Sequence, residues 1–317
     1  MTLADCKECI YRPRFVQPDA RRLLIKNPLS PGDILVMSAA IESLHRQFPG
    51  QYITAVDCPC PAIWEHNPWI FPFEDLKSTS ENFEAFPTHY PAVHESDQRA
   101  IHFMQAYVEW FGDKLKIPLR LQVNRPHLYL SKDERNWIPQ VERPFWIVNA
   151  GIKKDFTCKG WGAERYQEVV DRLKGKVKFV QVGEKGHDHK PLNGVVDLLG
   201  KTDARQFIRL VYHCRGGLGP STFLQHLCAA FEKPYICLLG GREPVTWVQY
   251  PKQTTLHSIG QLDCCRTKAC WKSRAIPLGD GKEQDKSLCL RPIRGIPECL
   301  ARITPERVVE AVIAYET

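Results

Sequence analysis

The sequence lacks a long apolar run. In its 317 residues no stretch approaches the roughly 18 consecutive apolar residues that a membrane-spanning helix needs. Its first residues, MTLADCKECIYRPR, also lack the apolar core of a secretory signal. With 43% apolar residues the chain can still bury a large core, and its length suits two domains of about 150 residues. These features predict a cytoplasmic protein of two domains with no transmembrane segment.

The sequence also lacks a strong excess of either charge. The formal net charge is +7, from 43 basic and 36 acidic residues that are dispersed among one another. This balance is compatible with anionic ligands such as nucleotide sugars, lipid phosphates or DNA, and it does not require a nucleic-acid partner. The oligomeric state is left open, and a homo-oligomer is compatible with the sequence.

Cysteine, in contrast, is abundant, with 13 residues. Without a predicted secretory signal, reduced thiols and metal ligands are favoured over a disulfide framework. Five cysteines fall within 36 residues that are rich in Arg, Lys, Gly and Pro: Cys264, Cys265, Cys270, Cys289 and Cys299. Four thiolates there could bind a tetrahedral ion and fold a segment that has too little apolar surface to fold alone.

We predict a structural Zn or Fe site with Cys265, Cys270, Cys289 and Cys299 as ligands and Cys264 as the alternative. The spacing is not a strict double Cys-x-x-Cys, so free thiols in a surface excursion are the competing interpretation. Cys6 and Cys9 could join this cluster or form a second half-site, and the sequence does not decide between these roles.

Strands and helices alternate in both halves of the chain. Apolar runs at residues 22–27 and Tyr52–Asp57 predict buried strands on either side of an amphipathic helix, and residues 145–149 restart the pattern. Residues 58–91 are rich in proline and aromatic residues, and we predict a strand near residues 69–73 between packed loops. Such alternation is typical of parallel sheets and predicts an α/β fold class.

Several turns after predicted strands carry residues suited to a diphosphate. A helix that begins at Ser221 and Thr222 can receive an anion at its amino terminus. The small-residue turn Asn149-Ala150-Gly151 lets backbone N–H groups approach a pyrophosphate, and a lysine after it, Lys153, Lys154 or Lys159, can neutralise charge on a departing nucleotide. His226 lies behind the first turn, where it either contacts a phosphate or packs against the sheet.

A carboxylate occupies a comparable turn in the first half. In Ser30-Pro31-Gly32-Asp33 a glycine turn delivers Asp33 to the start of a helix. A carboxylate held there could act as a general base, or it could simply favour the helix start on electrostatic grounds. The triplet His187-Asp188-His189 does not favour a metal site, because adjacent side chains in a loop diverge.

Residues 219–244, GPSTFLQHLCAAFEKPYICLLGGREP, resemble the donor-binding segment of glycosyltransferase family 9, the ADP-heptose lipopolysaccharide heptosyltransferases. The matching residues are His226, Leu227, Cys228, Ala229, Ala230, Pro234, Gly240 and Pro244. This family commonly has Asp-Ser-Gly just before the helix, whereas this chain has Ser221, Thr222 and Phe223. The missing carboxylate at position 221 is the clearest departure from the family pattern.

The resemblance implies a GT-B architecture, in which two Rossmann-like domains face each other across a cleft, with a cysteine-rich metal-binding lobe near the C-terminus. That lobe resembles the one in the autotransporter heptosyltransferase branch, whose site holds iron, and zinc fits the same ligands. The implied domains are an N-terminal arm at 1–20, an acceptor domain at 21–140, a donor domain at 141–260, the metal lobe at 261–303 and a C-terminal helix at 304–317.

The implied function is an inverting, metal-independent transfer of a heptose or related sugar from a nucleotide-linked donor, with an ADP-sugar favoured. Asp33 matches the family's candidate general base, and Glu184 matches an acidic residue near the donor ribose. The implied donor-binding residues are Gly32, Asn149, Gly151, Lys159, Glu184, Gly219, Ser221, Thr222, His226 and Gly241.

The acceptor is less well defined than the donor. A glycan, a lipid-linked sugar, a protein hydroxyl and a nucleic acid are all compatible with the sequence. Two alternative functions follow: a glycosyltransferase that modifies nucleic acid, and a non-catalytic nucleotide-sugar-binding protein. The first predicts strongly salt-dependent DNA binding. The second draws on the serine at position 221, where the family has aspartate.

Overall fold

The computed structural model describes residues 16–78, 82–284 and 287–316. The predicted roles of Cys6 and Cys9, and most of the N-terminal arm, fall outside the described residues. The chain forms two compact units. The first takes the chain up to Ala92 together with Phe103–Trp137, and the second takes Val93–His102 together with the chain from Ile138 onward.

The first unit is built on a small parallel sheet. Its strands are β1 (Arg21–Lys26), β2 (Tyr52–Asp57) and β3 (Glu84–Pro87), in the order β2-β1-β3. Its helices are α1 (Pro31–Gln47), α2 (Phe103–Leu115) and α3 (Lys132–Asn136). Helix α1 connects β1 to β2 and is buried along most of its length, because apolar residues occupy several of its faces. The predicted β-α-β unit is confirmed.

The predicted strand near residues 69–73 is wrong. Only an isolated bridge between Thr54 and Ile70 is formed there, and the third strand of this sheet lies at Glu84–Pro87. Pro72 removes a backbone donor from the segment, and the Asn67 side chain accepts the backbone N–H of Trp69. The backbone of this segment therefore forms turns and lacks the donors that a strand would need for pairing.

The second unit contains a larger parallel sheet. Its strands are β4 (Trp146–Val148), β5 (Phe179–Gly183), β6 (Val196–Leu199), β7 (Gly216–Gly219), β8 (Tyr235–Gly240) and β9 (Gln253–His257). Their spatial order is β6-β5-β4-β7-β8-β9, and every pairing is parallel. In this doubly wound order the chain adds β5 and β6 on one side of β4, and then β7, β8 and β9 on the other side. The switch point of the sheet therefore lies between β4 and β7. The α/β fold class with parallel sheets is confirmed.

Helices and a hairpin complete the second unit. The helices are α4 (Ala163–Arg172), α5 (Ala204–His213), α6 (Phe223–Ala230), α7 (Val245–Val248), α8 (Glu298–Ala301) and α9 (Pro305–Ile313), and the hairpin strands are β10 (Pro292–Ile293) and β11 (Ile296–Pro297). Thr304 caps α9 by accepting the backbone N–H of Arg307, as its sequence predicts. Within the described ranges, no helix has both the length and the apolar character needed to cross a membrane.

The core of the second unit extends into the cysteine-rich segment. Trp146, Trp161 and Tyr166 are fully buried at its centre. Leu262, Cys265, Cys299 and Leu300 belong to the same cluster of buried side chains. Apolar burial therefore anchors both ends of this segment, beside any contribution from a metal ion.

Candidate functional site

The predicted donor-binding residues other than Gly32 belong to the unit that contains the larger sheet, and several lie at its switch point. Because the strands are parallel, the residues that follow β4, β5, β7 and β8 lie along one edge. Asn149 follows β4, and its side-chain N–H donates to Thr222 Oγ, 3.4 Å away at the start of α6. We call Asn149, Lys159, Ser221, Thr222 and Glu243 the donor edge.

Lys159 lies in a single 3₁₀ turn, Thr157–Lys159, between β4 and α4. Its Nζ donates to the backbone oxygen of Ser221 over 2.8 Å and lies 2.9 Å from Glu243 Oε1. Two residues that the sequence identified separately, Lys159 and Ser221, are thus in direct contact. A cation stands beside the amino terminus of α6, where an anionic ligand is favoured.

Glu243 is a site residue that sequence reasoning missed. Its side chain is 5% exposed and contacts Lys159, Arg242 and the Ser221 hydroxyl. Burial alone raises the pKa of its carboxyl, but the charges of Lys159 and Arg242 prevail and hold the pKa at about 2. The available signal was an acidic residue just after a fully buried strand, in the segment Gly240-Gly241-Arg242-Glu243-Pro244.

The second cation at this edge is held by aromatic rings. The Arg242 guanidinium lies 4.7 Å from the centre of the Phe156 ring and 5.3 Å from that of Trp271. Its Nε donates to the backbone oxygen of Lys272 over 2.7 Å. These contacts orient Arg242 toward the cysteine-rich segment, whereas Lys159 is oriented toward Ser221.

His226 is buried on α6 and remains neutral. Its Nδ1 lies 2.8 Å from the Tyr250 hydroxyl. Burial, helped by the nearby charge of Lys159, lowers the pKa of His226 to about 3. A neutral imidazole with this partner suits a structural role behind the phosphate turn, and proton transfer at neutral pH is disfavoured.

The turn at Gly151 is small for a reason that the sequence did not reveal. The His189 ring lies against Gly151 and Gly183, and a Cβ added to Gly151 would fall 1.8 Å from His189 Nδ1. Two backbone hydrogen bonds between Ile152 and Asp188 pin the two loops together. Both ring nitrogens of His189 are buried and have no hydrogen-bond partner among the residues that the structure describes.

Three other predicted donor residues lie along the same edge. Glu184 directly follows β5, is exposed, and has a carboxylate oxygen 3.4 Å from His187 Nε2. Gly219 ends β7, where a Cβ would meet the backbone oxygen of Asn149 at 2.9 Å. Gly241 follows β8 and faces the cysteines, since its Cβ would fall 2.8 Å from Cys265 Sγ. Their roles in donor binding stay predictions.

In the first unit, Asp33 is the third residue of α1, and Ser30 rather than Asp33 holds the N-cap position. The Tyr90 hydroxyl donates to Asp33 Oδ2 over 2.7 Å. The Tyr90 ring stacks on Phe103, which in turn stacks on Tyr107. Gly32, the other predicted residue here, is buried in the first turn of α1. Asp33 is therefore a carboxylate oriented by a tyrosine at the start of a helix.

Cysteines of the second unit line a small cavity of about 20 Å³, which is room for a single ion. The cysteines that line it are Cys158, Cys264, Cys270, Cys289 and Cys299. We call these residues and their enclosed space the cysteine cavity. Cys158, which precedes Lys159, was not among the predicted ligands. Cys265 Sγ instead lies 3.6 Å from the Ser258 backbone oxygen.

Backbone N–H groups are directed at three of these sulfur atoms. Cys270 accepts from Lys272, Cys289 accepts from Arg291, and Cys299 accepts from Gly241. Hydrogen bonds of this kind stabilise thiolates and are the surroundings that metal ligands require. Cys158 donates to Cys289, and this bond lowers the pKa of the Cys289 thiol.

Comparison with known proteins gives the family. The model of glycosyltransferase family 9 (heptosyltransferase) matches residues 92–274, more than half of the chain. That range contains Asn149, Lys159, Ser221 and Glu243. Among curated protein sequences, none matches the chain.

Several solved structures share the fold. E. coli ADP-heptose lps heptosyltransferase II is 17% identical, with 93% of this chain and 98% of that chain aligned at a TM-score of 0.63. The iron-containing dodecameric glycosyltransferase TibC from enterotoxigenic E. coli is 16% identical, with 95% and 77% aligned at 0.65. E. coli heptosyltransferase WaaC with ADP-2-deoxy-2-fluoro heptose is 13% identical, with 92% and 99% aligned at 0.56. With its family model and its fold in agreement, the chain belongs to glycosyltransferase family 9 and is a glycosyltransferase.

Proposed function

We propose that the protein transfers a heptose or a related sugar from an ADP-linked donor to a hydroxyl acceptor, with inversion at the anomeric carbon. The complexes of its structural neighbours support the donor class: TibC was solved with ADP-D-beta-D-heptose, and WaaC with ADP. The observation in this chain that carries the proposal is the contact of Lys159 with Ser221 at the amino terminus of α6.

The donor edge suits a diphosphate leaving group. The Lys159 ammonium and the N–H groups at the start of α6 are positive or partly positive, so they stabilise the charge that develops as the sugar–phosphate bond breaks. The buried side-chain oxygen of Asn149 has no hydrogen-bond partner among the described residues. A hydroxyl or amino group of the nucleotide sugar would donate a hydrogen bond to it. These groups do the work of charge neutralisation, so the proposed chemistry is metal-independent.

Asp33 is the proposed general base. The acceptor oxygen attacks the anomeric carbon, its proton passes to the Asp33 carboxylate, and the bond from that carbon to the ADP oxygen breaks. ADP departs with the bonding electron pair. The hydrogen bond from Tyr90 orients the Asp33 carboxylate for this step.

A structural Zn or Fe ion in the cysteine cavity forms the second part of the proposal. The size of the cavity and the N–H groups that face three of its sulfur atoms support such an ion. Among the described residues no three of these sulfur atoms lie within 4.8 Å of one another, so ion binding would draw them together. Cys270, Cys289 and Cys299 would hold the ion, with Cys158 or Cys264 as the fourth ligand and Cys265, named from the sequence, as a further candidate. When bound, the ion would crosslink segments of the lobe and take no part in sugar transfer.

The proposal extends to the acceptor, the location and the assembly of the protein. A glycan, a lipid-linked sugar or a protein hydroxyl is the proposed acceptor, and cytoplasmic location stays a prediction. TibC is described as dodecameric, which makes a homo-oligomer of this chain a reasonable expectation. Light scattering of the purified protein would measure its mass in solution.

The decisive experiment measures ADP release from ADP-heptose with a panel of acceptors: a truncated lipopolysaccharide core, an oligosaccharide, a serine-rich peptide and single-stranded DNA. Asp33→Asn should lower the rate by about 10²–10⁴-fold, the usual contribution of general base catalysis, without weakening ADP binding. Asp113→Asn, at an exposed carboxylate on α2, is the matched control. Full activity of Asp33→Asn would remove Asp33 as the base, and transfer to DNA alone would replace the proposed acceptor class.

A further inference from the structure

We propose that Glu243 supplies, from the loop after β8, the carboxylate that position 221 lacks, and that it positions Lys159 for the donor diphosphate. The inference rests on the proposed function, because it assumes that Lys159 binds that diphosphate. It begins from the contacts of one buried side chain that the family resemblance did not identify.

Glu243 meets both ends of the contact between Lys159 and position 221. Its Oε1 lies 2.9 Å from Lys159 Nζ, and its carboxylate accepts a hydrogen bond from the Ser221 hydroxyl. Lys159 Nζ also donates to the backbone oxygen of Ser221 over 2.8 Å. A carboxylate placed on residue 221 would therefore occupy nearly the same space beside Lys159 as the Glu243 carboxylate does.

A positioning group is needed because a lysine side chain is flexible. An ammonium group carries three N–H donors on a stem of four methylene groups. Glu243 and the Ser221 carbonyl accept from two of these donors, which leaves the third direction for a phosphate oxygen. The Lys159 side chain is 22% exposed, whereas that of Glu243 is 5% exposed, so the lysine is the member of the pair that a ligand can reach.

The charges around Glu243 leave the site positive. Lys159 and Arg242 both contact this single carboxylate, so the three side chains together carry one net positive charge. Arg242 is held between Phe156 and Trp271, which leaves Lys159 as the cation directed at α6. A second carboxylate at position 221 would cancel that charge and repel Glu243. In this chain the carboxylate that faces Lys159 comes from Glu243.

The test is a carboxylate exchange, read by titrating ADP into the purified full-length chain by calorimetry. Glu243→Gln keeps the side-chain volume and removes the charge, and we expect the Kd for ADP to rise about tenfold. The double variant Glu243→Gln with Ser221→Asp should return the Kd to within about threefold of the wild-type value, because one carboxylate again faces Lys159. Ser221→Asp alone should weaken ADP binding, since it adds a second carboxylate.

Controls separate positioning from folding. Glu310→Gln, at an exposed carboxylate on α9, should leave the Kd unchanged. Glu243→Asp keeps the charge on a shorter stem and should bind ADP better than Glu243→Gln, which gives a second comparison if the glutamine variant folds poorly. The double variant could fold, as judged by its melting temperature, and yet bind ADP no better than Glu243→Gln. That result would contradict the proposal that a carboxylate at position 221 can replace the Glu243 carboxylate.

The outcomes also separate this inference from the proposed function. If the wild-type chain binds no ADP, the proposed donor class fails and the positioning role fails with it. If the wild-type chain binds ADP and Glu243→Gln binds it equally well, the donor proposal stands and only the role of Glu243 is lost.

Discussion

The donor edge and the cysteine cavity share two loops, yet they are organised by different interactions. Cys158 lines the cavity and the next residue, Lys159, belongs to the donor edge. Likewise Gly241 faces the cavity, and Glu243, two residues later, faces Lys159. Neighbouring residues of two short loops thus serve two sites.

The two regions differ in how complete they are without a ligand. At the donor edge, opposite charges are already paired, and the pKa of Glu243 lies near 2, so the ion pair is formed across the physiological pH range. In the cysteine cavity, burial raises the pKa of Cys270, and raises that of Cys299 to about 12. Since thiolates are the metal ligands, the proposed ion would have to replace the protons of these two thiols. Paired charges preorganise the donor edge, whereas the proposed ion would organise the cavity.

The largest effect is expected from removing the ion. Cys270→Ser combined with Cys289→Ser should abolish bound Zn or Fe in elemental analysis. An ion present at a thousand times its Kd stabilises the folded state by about 4 kcal/mol, and this contribution would be lost. Denaturant unfolding measures it. Cys214→Ser, at a buried cysteine outside the cavity, is the control for metal content. Unchanged metal content in the double variant would place the ion elsewhere.

The next effect concerns the donor edge alone. Lys159→Ala should lower the rate of ADP release from ADP-heptose by about 100-fold, because one preorganised donor to the leaving group is lost. Metal content should not change, since Lys159 does not line the cavity. Lys154→Ala, at an exposed lysine of the same loop, is the matched control. Loss of metal in Lys159→Ala would show that the two regions are not separable at this residue.

Much of the donor edge could be predicted from sequence because its signals are local. The apolar run of β4, the small turn after it and Lys159 lie close together in the chain, and the same holds for β7 and the start of α6. Alternating strands and helices predict a parallel sheet, and a parallel sheet places such turns at one edge. The contact between Lys159 and Ser221 follows from that reasoning.

The rest depends on strand order and loop packing, which periodicity does not encode. Glu243 reaches Lys159 because β8 lies next to β7, and Cys158 reaches the cavity because Thr157–Lys159 packs on residues far along the chain. The small turn at Gly151 was explained by phosphate approach, yet the structure fills that space with His189. The prediction of a strand near residues 69–73 was wrong because it relied on the aromatic residues there and left out the backbone donor that Pro72 removes.

The third prediction concerns the hydrogen bonds of Thr157, which connect the two regions. The buried Thr157 hydroxyl accepts the backbone N–H groups of Ala275 and Ile276, at 2.8 and 3.0 Å, and so ties the Lys159 turn to the cysteine-rich segment. Thr157→Val leaves both donors unsatisfied and should cost about 2 kcal/mol in unfolding free energy. It should also weaken both metal retention and ADP binding. Thr267→Val, at an exposed position of the same segment, should do neither. Normal binding of both ligands by Thr157→Val would mean that the two regions act independently.

The smallest expected effect is a change in how the unfolding free energy depends on pH. Burial lowers the pKa of His226 to about 3 from an ordinary value of 6.5, so the unfolded chain binds the proton first. This contribution to stability is complete above pH 6.5 and falls by up to about 1.4 kcal/mol per pH unit as the pH drops toward 3. The low pKa of Glu243, about 2 against an ordinary 4.5, affects stability in a lower pH range, between those two values.

His226→Gln should therefore flatten the dependence of unfolding free energy on pH between 6.5 and 4.5, whereas Glu243→Gln should change it only below about 4.5. Denaturant unfolding at a series of pH values measures both slopes, with His94→Gln at an exposed histidine as control. An unchanged slope in His226→Gln would mean that His226 titrates near its ordinary pKa, and α6 would then carry a titratable cation instead of a neutral ring.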